Sequence, residues 1–371
     1  MAQAEIQAQA PTPPPAPTAT HVTWEDGATV IENDSAHLEI QNKFWAVFFA
    51  EFPDGDTSLG PPDGSTTPPD PGEARGSFRI RKAETTFEGW FWRKEIQYEL
   101  ELTYREPGGV LNHAVVDWDT LGNGALRFTF GQFKAGFGRQ ELISSSRQQF
   151  VNRTFVSDLF SPAENQGAQV HGRLLDHKLE YTLGMFNGNG RNASGRNGDL
   201  NDNDEFQYDA RLQLEPWGEI GYSESDFEST DHPLVAFAVE AQHDDRRQAA
   251  VDGGAKLFTL GGDVSLKWRG LSFFSQAFLR DGSAAGSFGT LAVAAQVGWF
   301  VCGRTLEVAL RQATLDPDRD ADDDRQHETG AAFNWYIRGR KFKVQTDLRR
   351  LQDQALDAVV WEWRLQTYAS F

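Results

Sequence analysis

The chain has 371 residues, with 54 acidic and 35 basic side chains and a formal net charge of −19. That balance excludes a nucleic-acid partner held by phosphate contacts, and the single cysteine, Cys302, excludes an internal disulfide framework and a Cys-based zinc site. Mean hydropathy is −0.53, and no apolar run approaches the ~18 residues of a membrane-crossing helix; a crossing strand needs only one apolar face over about 9–11 residues, so β-strands are not excluded.

Residues 1–36 begin MAQAEIQAQAPTPPPAPTAT, with neither the basic start nor the apolar stretch of a secretory signal. This Pro/Ala/Thr composition predicts a disordered or polyproline-like tail, periplasmic if the chain is exported. From residue 37 to 371 the sequence alternates. In IQYELELTYR (96–105), Ile96, Tyr98, Leu100, Leu102 and Tyr104 fall on one face and Gln97, Glu99, Glu101, Thr103 and Arg105 on the other. Like runs occur at 37–52, 77–88, 111–118, 124–134, 166–175, 178–186, 206–214, 234–243, 256–268, 271–280, 288–301, 304–313, 328–338, 342–351 and 359–371. They predict about sixteen strands, an even count in the range of bacterial outer-membrane barrels. At 78–87 the apolar set moves from Phe78 and Ile80 to Ala83, Thr85 and Phe87, which predicts a bulge near Arg81-Lys82.

Connections alternate between short (89–94, 176–177, 269–270, 302–303, 339–340) and long and polar (53–76, 138–165, 187–204, 316–326). Short turns at one end and long loops at the other suit a membrane barrel. The exception, EPWGEIGYSESDFESTDHP (215–233), is long where a short turn is expected, so it is an excursion or a miscounted strand. The polar faces carry many charges, and Trp118, Trp268, Trp299, Trp335, Trp361 and Trp363 gather near strand ends as interfacial girdles do. The expected fold is all-β: a transmembrane antiparallel barrel with a wet lumen, the alternative being a soluble β protein.

Four segments in order, SFRIRKAETTFEG (77–89), GQFKAGFG (131–138), ELISSSRQQFVNRTFVSDLFSP (141–162) and LGMFNGNG (183–190), resemble the phosphate-selective porin O and P family of outer-membrane channels. The resemblance runs from about Leu38 to Phe371. It implies a sixteen-stranded barrel, a homotrimer in outer-membrane lipid, and a third loop, here 138–165, folded into the lumen as a constriction. The terminal Phe371 resembles the signal read by the barrel assembly machinery.

In this sequence the candidate anion-binding residues are Arg81, Lys82, Lys134, Ser144, Ser145, Arg147 and Arg153, with Arg139 and Ser146 alongside. Guanidinium forks and hydroxyls donate to oxyanions, and basic groups at a narrowing select anions. Glu141, where the family pattern has a basic residue, and Glu164 in SPAEN weigh against strict phosphate selectivity. The alternatives are a general porin with little or cation selectivity and a structural outer-membrane protein.

Catalysis is not expected, because the eight histidines form no HExxH pair and no GxSxG elbow is present. No cofactor is expected either. The acidic runs at 316–324 and 201–205 could hold a loop-bound divalent cation, but neither has the EF-hand pattern, and solvated loops are the simpler reading.

Overall fold

The structure is a computed structural model that describes residues 19–25, 27–54, 74–104, 109–188, 205–245, 256–282 and 289–371. Two short strands come first, β1 (His21–Glu25) and β2 (Ala28–Asn33). Eight follow: β3 (Ala36–Asp54), β4 (Arg75–Phe91), β5 (Arg93–Tyr104), β6 (Gly109–Asp119), β7 (Arg127–Lys134), β8 (Glu164–Leu174), β9 (Leu179–Phe186) and β10 (Gln207–Leu214). The rest are β11 (Leu234–Asp245), β12 (Lys256–Trp268), β13 (Leu271–Gly282), β14 (Thr290–Cys302), β15 (Leu306–Asp316), β16 (Gln326–Arg340), β17 (Phe342–Asp353) and β18 (Ala358–Ser370).

From β3 onward each strand pairs antiparallel with the next, and β18 pairs back onto β3 from Val359↔Asp54 to Ser370↔Lys43. The result is a closed sixteen-stranded antiparallel barrel, as the alternation predicts. Closure gives each barrel strand a neighbour on both sides, which a lipid environment demands. Burial is inverted relative to a water-soluble protein. On β18 Trp361, Trp363 and Leu365 are exposed while Glu362, Arg364 and Gln366 are buried, and on β14 Val297 and Trp299 are exposed while Gln296 is buried. An apolar outside around a polar inside has physical sense only when lipid surrounds it.

The tail needs correcting. His21–Glu25 and Ala28–Asn33, expected to be disordered, pair as β1 and β2. The ladder explains it: β18 stops opposite Lys43, leaving Ala36–Gln41 of β3 with an open edge, and β2 covers that edge from Ala28↔Gln41 to Asn33↔Ala36. Residues 1–18 of the expected tail lie outside the described residues.

The turns at the end of the barrel that holds Phe371 are short, such as Arg269–Gly270, where both residues take positive φ and close a two-residue hairpin. Residues 215–233 lie at this same end, so they are an excursion and the strand count stands. The expected bulge is present: Trp45 faces Lys82 and Ala46 faces Ile80, with Arg81 the extra residue.

Candidate functional site: the lumen constriction

The loop expected to form the constriction, called the constriction loop below, spans 135–163, slightly earlier than the predicted 138–165, and Glu164 opens β8 instead of closing the loop. It leaves β7 through two glycines. A Cβ on Gly136 would lie 2.4 Å from Thr182 Cγ2, and Gly138 has φ of 78°, so only glycine lets the chain turn inward here. The loop then forms α1 (Arg139–Leu142), a 3-10 turn at Ser145–Arg147, an extended run, and α2 (Phe155–Phe160). Thr154 caps α2 by accepting from Ser157 N at 3.0 Å.

The loop lies on one side of the barrel. Phe137, Val156 and Phe160 pack on Phe278, Ala292, Ala294, Ala313 and Leu315, while Phe150 packs on Ala309 and Ala332. Small wall residues make the room: a Cβ on Gly298 would lie 1.8 Å from Gln149 Nε2. Polar bonds complete the seat. Gln149 donates to Ser272 Oγ at 2.9 Å and Glu307 Oε1 at 2.6 Å, Val151 N donates to Asp347 at 2.7 Å, and Phe155 N donates to Glu328 at 3.0 Å.

The bulge has a direct electrostatic result. Regular alternation would send one of Arg81 and Lys82 to lipid, and the extra residue turns both into the lumen, on the same face as Arg79. Arg81 donates to Val151 O of the loop and, at 3.0 Å, to Gln366 Oε1. Lys82 pairs with Glu84 and stands 4.5 Å over the Trp45 ring. Lys134 donates to Glu141 O at 2.7 Å, and Arg153 Nε lies 3.1 Å from Glu141 Oε2 while its guanidinium also reaches the carbonyls of Gln140 and Ile143. Arg153 is within electrostatic reach of both Arg81 and Lys134, and Lys82 of Lys134. The fold therefore brings together four of the predicted residues: Arg81, Lys82, Lys134 and Arg153. Glu141, 5% exposed, faces Arg153 of its own loop and Lys134 at the end of β7.

The other candidates sit apart. Ser144 and Ser146 share a hydrogen bond at 3.0 Å and Ser145 is buried, so the serine run is turned largely onto itself. Arg147 is exposed, in electrostatic reach of Lys267 and Arg340 and away from the main group. Arg139 is buried, bonded to Gln213 at 2.9 Å and Gly221 O at 2.7 Å, which makes it a structural residue.

Two features escaped sequence reasoning. Below the basic group, the register sets Glu39 opposite Glu88 and Glu88 opposite Glu99, a row of carboxylates lining a recess of about 450 Å³ with Asp117 and Arg127. Histidines stand beside it: His113 Nδ1 is 2.6 Å from Glu99, and His171 Nε2 is 2.8 Å from Asp117. Each residue is visible in sequence, but the row depends on strand register. The second is the inward docking of the 215–233 excursion, whose length the sequence shows but whose seat inside the barrel it does not. Of the acidic loops, 201–204 lies outside the described residues, and in 316–324 Asp318 and Asp324 cap backbone amides of their own loop. Among the described residues, the carboxylates and histidine whose ligand atoms converge are Glu99, Glu101 and His113.

Comparison with known proteins agrees with this architecture. Residues 68–234 match the model of the family described as phosphate-selective porin O and P. No curated protein matches the chain in sequence. Among solved structures it is similar to an anion-selective porin from Comamonas acidovorans, at 11% identity over 91% of this chain and 100% of that one, with a TM-score of 0.57. It is also similar to OmpT, an outer membrane protein of Vibrio cholerae, in its trimer form (9% identity, 91% of this chain and 100% of that one, TM-score 0.59). A third is the outer membrane channel DcaP of Acinetobacter baumannii (9% identity, 92% and 99%, TM-score 0.58). At these identities the likeness speaks for the fold alone.

Proposed function

We propose that the chain is an outer-membrane porin, a passive, water-filled channel that carries small anions, phosphate among them, past the basic group at the constriction loop. The observation that carries this is the bulge at Arg81, which adds a second cation to the lumen opposite Arg153 and Lys134. An oxyanion meets planar guanidinium forks and ammonium groups there. Several weak contacts in sequence suit conduction, because a single deep trap would hold the ion. Glu84 and Glu141 offset part of the charge, which keeps the contacts weak. The family match and the anion-selective neighbour support the reading.

The test is charge removal. Arg81→Gln with Lys82→Gln is expected to weaken block of chloride current by added phosphate and shift the reversal potential away from anions; an unchanged block contradicts the role given to these residues. One observation favours a second reading, a channel with cation preference: the row Glu39, Glu88 and Glu99 below the basic group. If it controls selectivity, Glu88→Gln moves the reversal potential and Arg81→Gln does not.

The working form in this proposal is a homotrimer in outer-membrane lipid, as in the trimer form of the Vibrio protein. The assembly machinery would read Phe371, which is 54% exposed and whose backbone pairs with Asn42 at the barrel rim.

A further inference from the structure

We propose that the turn 215–233 is a second constriction element, entering from the periplasmic end, and that Glu224 is the positioning residue that ties it to the constriction loop. This rests on the channel reading above and adds a part to it.

Residues 215–233 join β10 to β11 at the end where the other turns run to seven residues or fewer. The segment turns back into the barrel through Gly218 and Gly221, which have φ of 125° and 63°. Ile220 packs on Leu234 and Ala236. Lys267 donates to Ile220 O and Ser223 Oγ, both at 2.8 Å. Asp226 accepts from Gly270 N at 2.7 Å, and Phe227 packs on Phe300 and Tyr336. The turn is thus seated like a plug, with Ser223, Glu224, Ser225 and Asp226 all buried.

Glu224 is the link across. Its Oε1 accepts from Gln140 Nε2 at 2.7 Å, and its Oε2 accepts from Gln149 N at 2.6 Å and Gln296 Nε2 at 2.9 Å. Its own N–H donates to Arg147 O at 3.2 Å. One carboxylate therefore binds two separate points of the constriction loop and the β14 wall, and three N–H donors meet its charge. Loop and turn together cover the β10–β18 side of the lumen, where inward groups such as Gln276, Glu307, Glu328 and Asp347 are buried. The recess lined by Glu88, Glu99 and Arg127 stays on the opposite side, so the joined pair confines the path to the β3–β9 half.

The full-length channel in planar bilayers tests this, with each variant's folding checked by heat-modifiable gel migration. Replacing 216–232 by Asn-Gly, which leaves a seven-residue connection between the paired Leu214 and Phe237, is expected to raise single-channel conductance roughly twofold by widening the narrowest section. Glu224→Ala gives a smaller rise in the same direction. Gln140→Ala combined with Glu224→Ala then gives less than the sum of the two single effects, because the two share the Gln140–Glu224 bond. Glu228→Gln, at the exposed tip, conducts like the parent. The proposal is overturned if folded Glu224→Ala and the turn replacement both conduct like the parent, or if the Gln140 and Glu224 effects simply add. Absence of channels from the parent chain would overturn the porin reading itself, and is distinguishable.

Discussion

Glu141 shows how far a residue's meaning depends on what it faces. Read along the chain it is a negative charge at a site meant for anions. In the fold it is buried against Arg153 and Lys134 and holds the base of the constriction loop. Glu141→Gln should leave both cations less offset, so the reversal potential in a KCl gradient should move toward chloride. A shift toward potassium would mean that the loop, once unpinned, carries its cations out of the path. Gly298 makes the complementary point, because its missing side chain is what Gln149 occupies. Gly298→Ala should cost the loop ~1–3 kcal/mol of seating by overpacking. It should make the loop sensitive to protease in a barrel that still migrates as folded.

Among the elements, β4 carries the most consequence in one irregularity. Deleting Arg81 should leave Ile80 and Lys82 on their present partners, since the bulged residue has none in the ladder. The barrel should form, and phosphate block should weaken as in a charge-removal variant; loss of folding would show that Arg81's bonds to Val151 and Gln366 are structural before they are electrostatic. The inward turn has its own pH dependence. Burial pushes the Glu215 carboxyl up, against the pull of Arg173. A carboxyl raised by docking stabilises the docked form below the ordinary range near about 4.3, and that stabilisation is lost as pH rises through the raised value. Hydrogen exchange at Ile220, corrected for intrinsic rate, should therefore be most protected at acid pH. Glu215→Gln should flatten the profile, and protection that grows with pH in the parent would contradict it.

Across the whole molecule the barrel was legible because lipid repeats one demand on every strand: apolar out, polar in. Even the Arg81 bulge could be read, as the shift from Phe78 and Ile80 to Ala83, Thr85 and Phe87. What stayed hidden depends on pairs remote in sequence. The row Glu39, Glu88, Glu99 exists only once the register is known. The 215–233 segment has the composition of any polar loop, and its docking rests on Gln140, Gln149 and Gln296, far from it in the chain. The inward placement of the small residues Ala292, Ala294 and Gly298 was hidden too, since it makes sense only with the constriction loop seated against them. The β1–β2 pair was hidden for the same reason, since its partner is an edge left by the end of β18. The central claim, that a basic group at the constriction selects small anions, is tested most directly by one measurement. It is the zero-current potential of the purified protein in a planar bilayer under a KCl gradient, repeated with phosphate added. A potential of the sign set by chloride, with current reduced by phosphate, is the predicted result. A potential of the sign set by potassium, indifferent to phosphate, would contradict it.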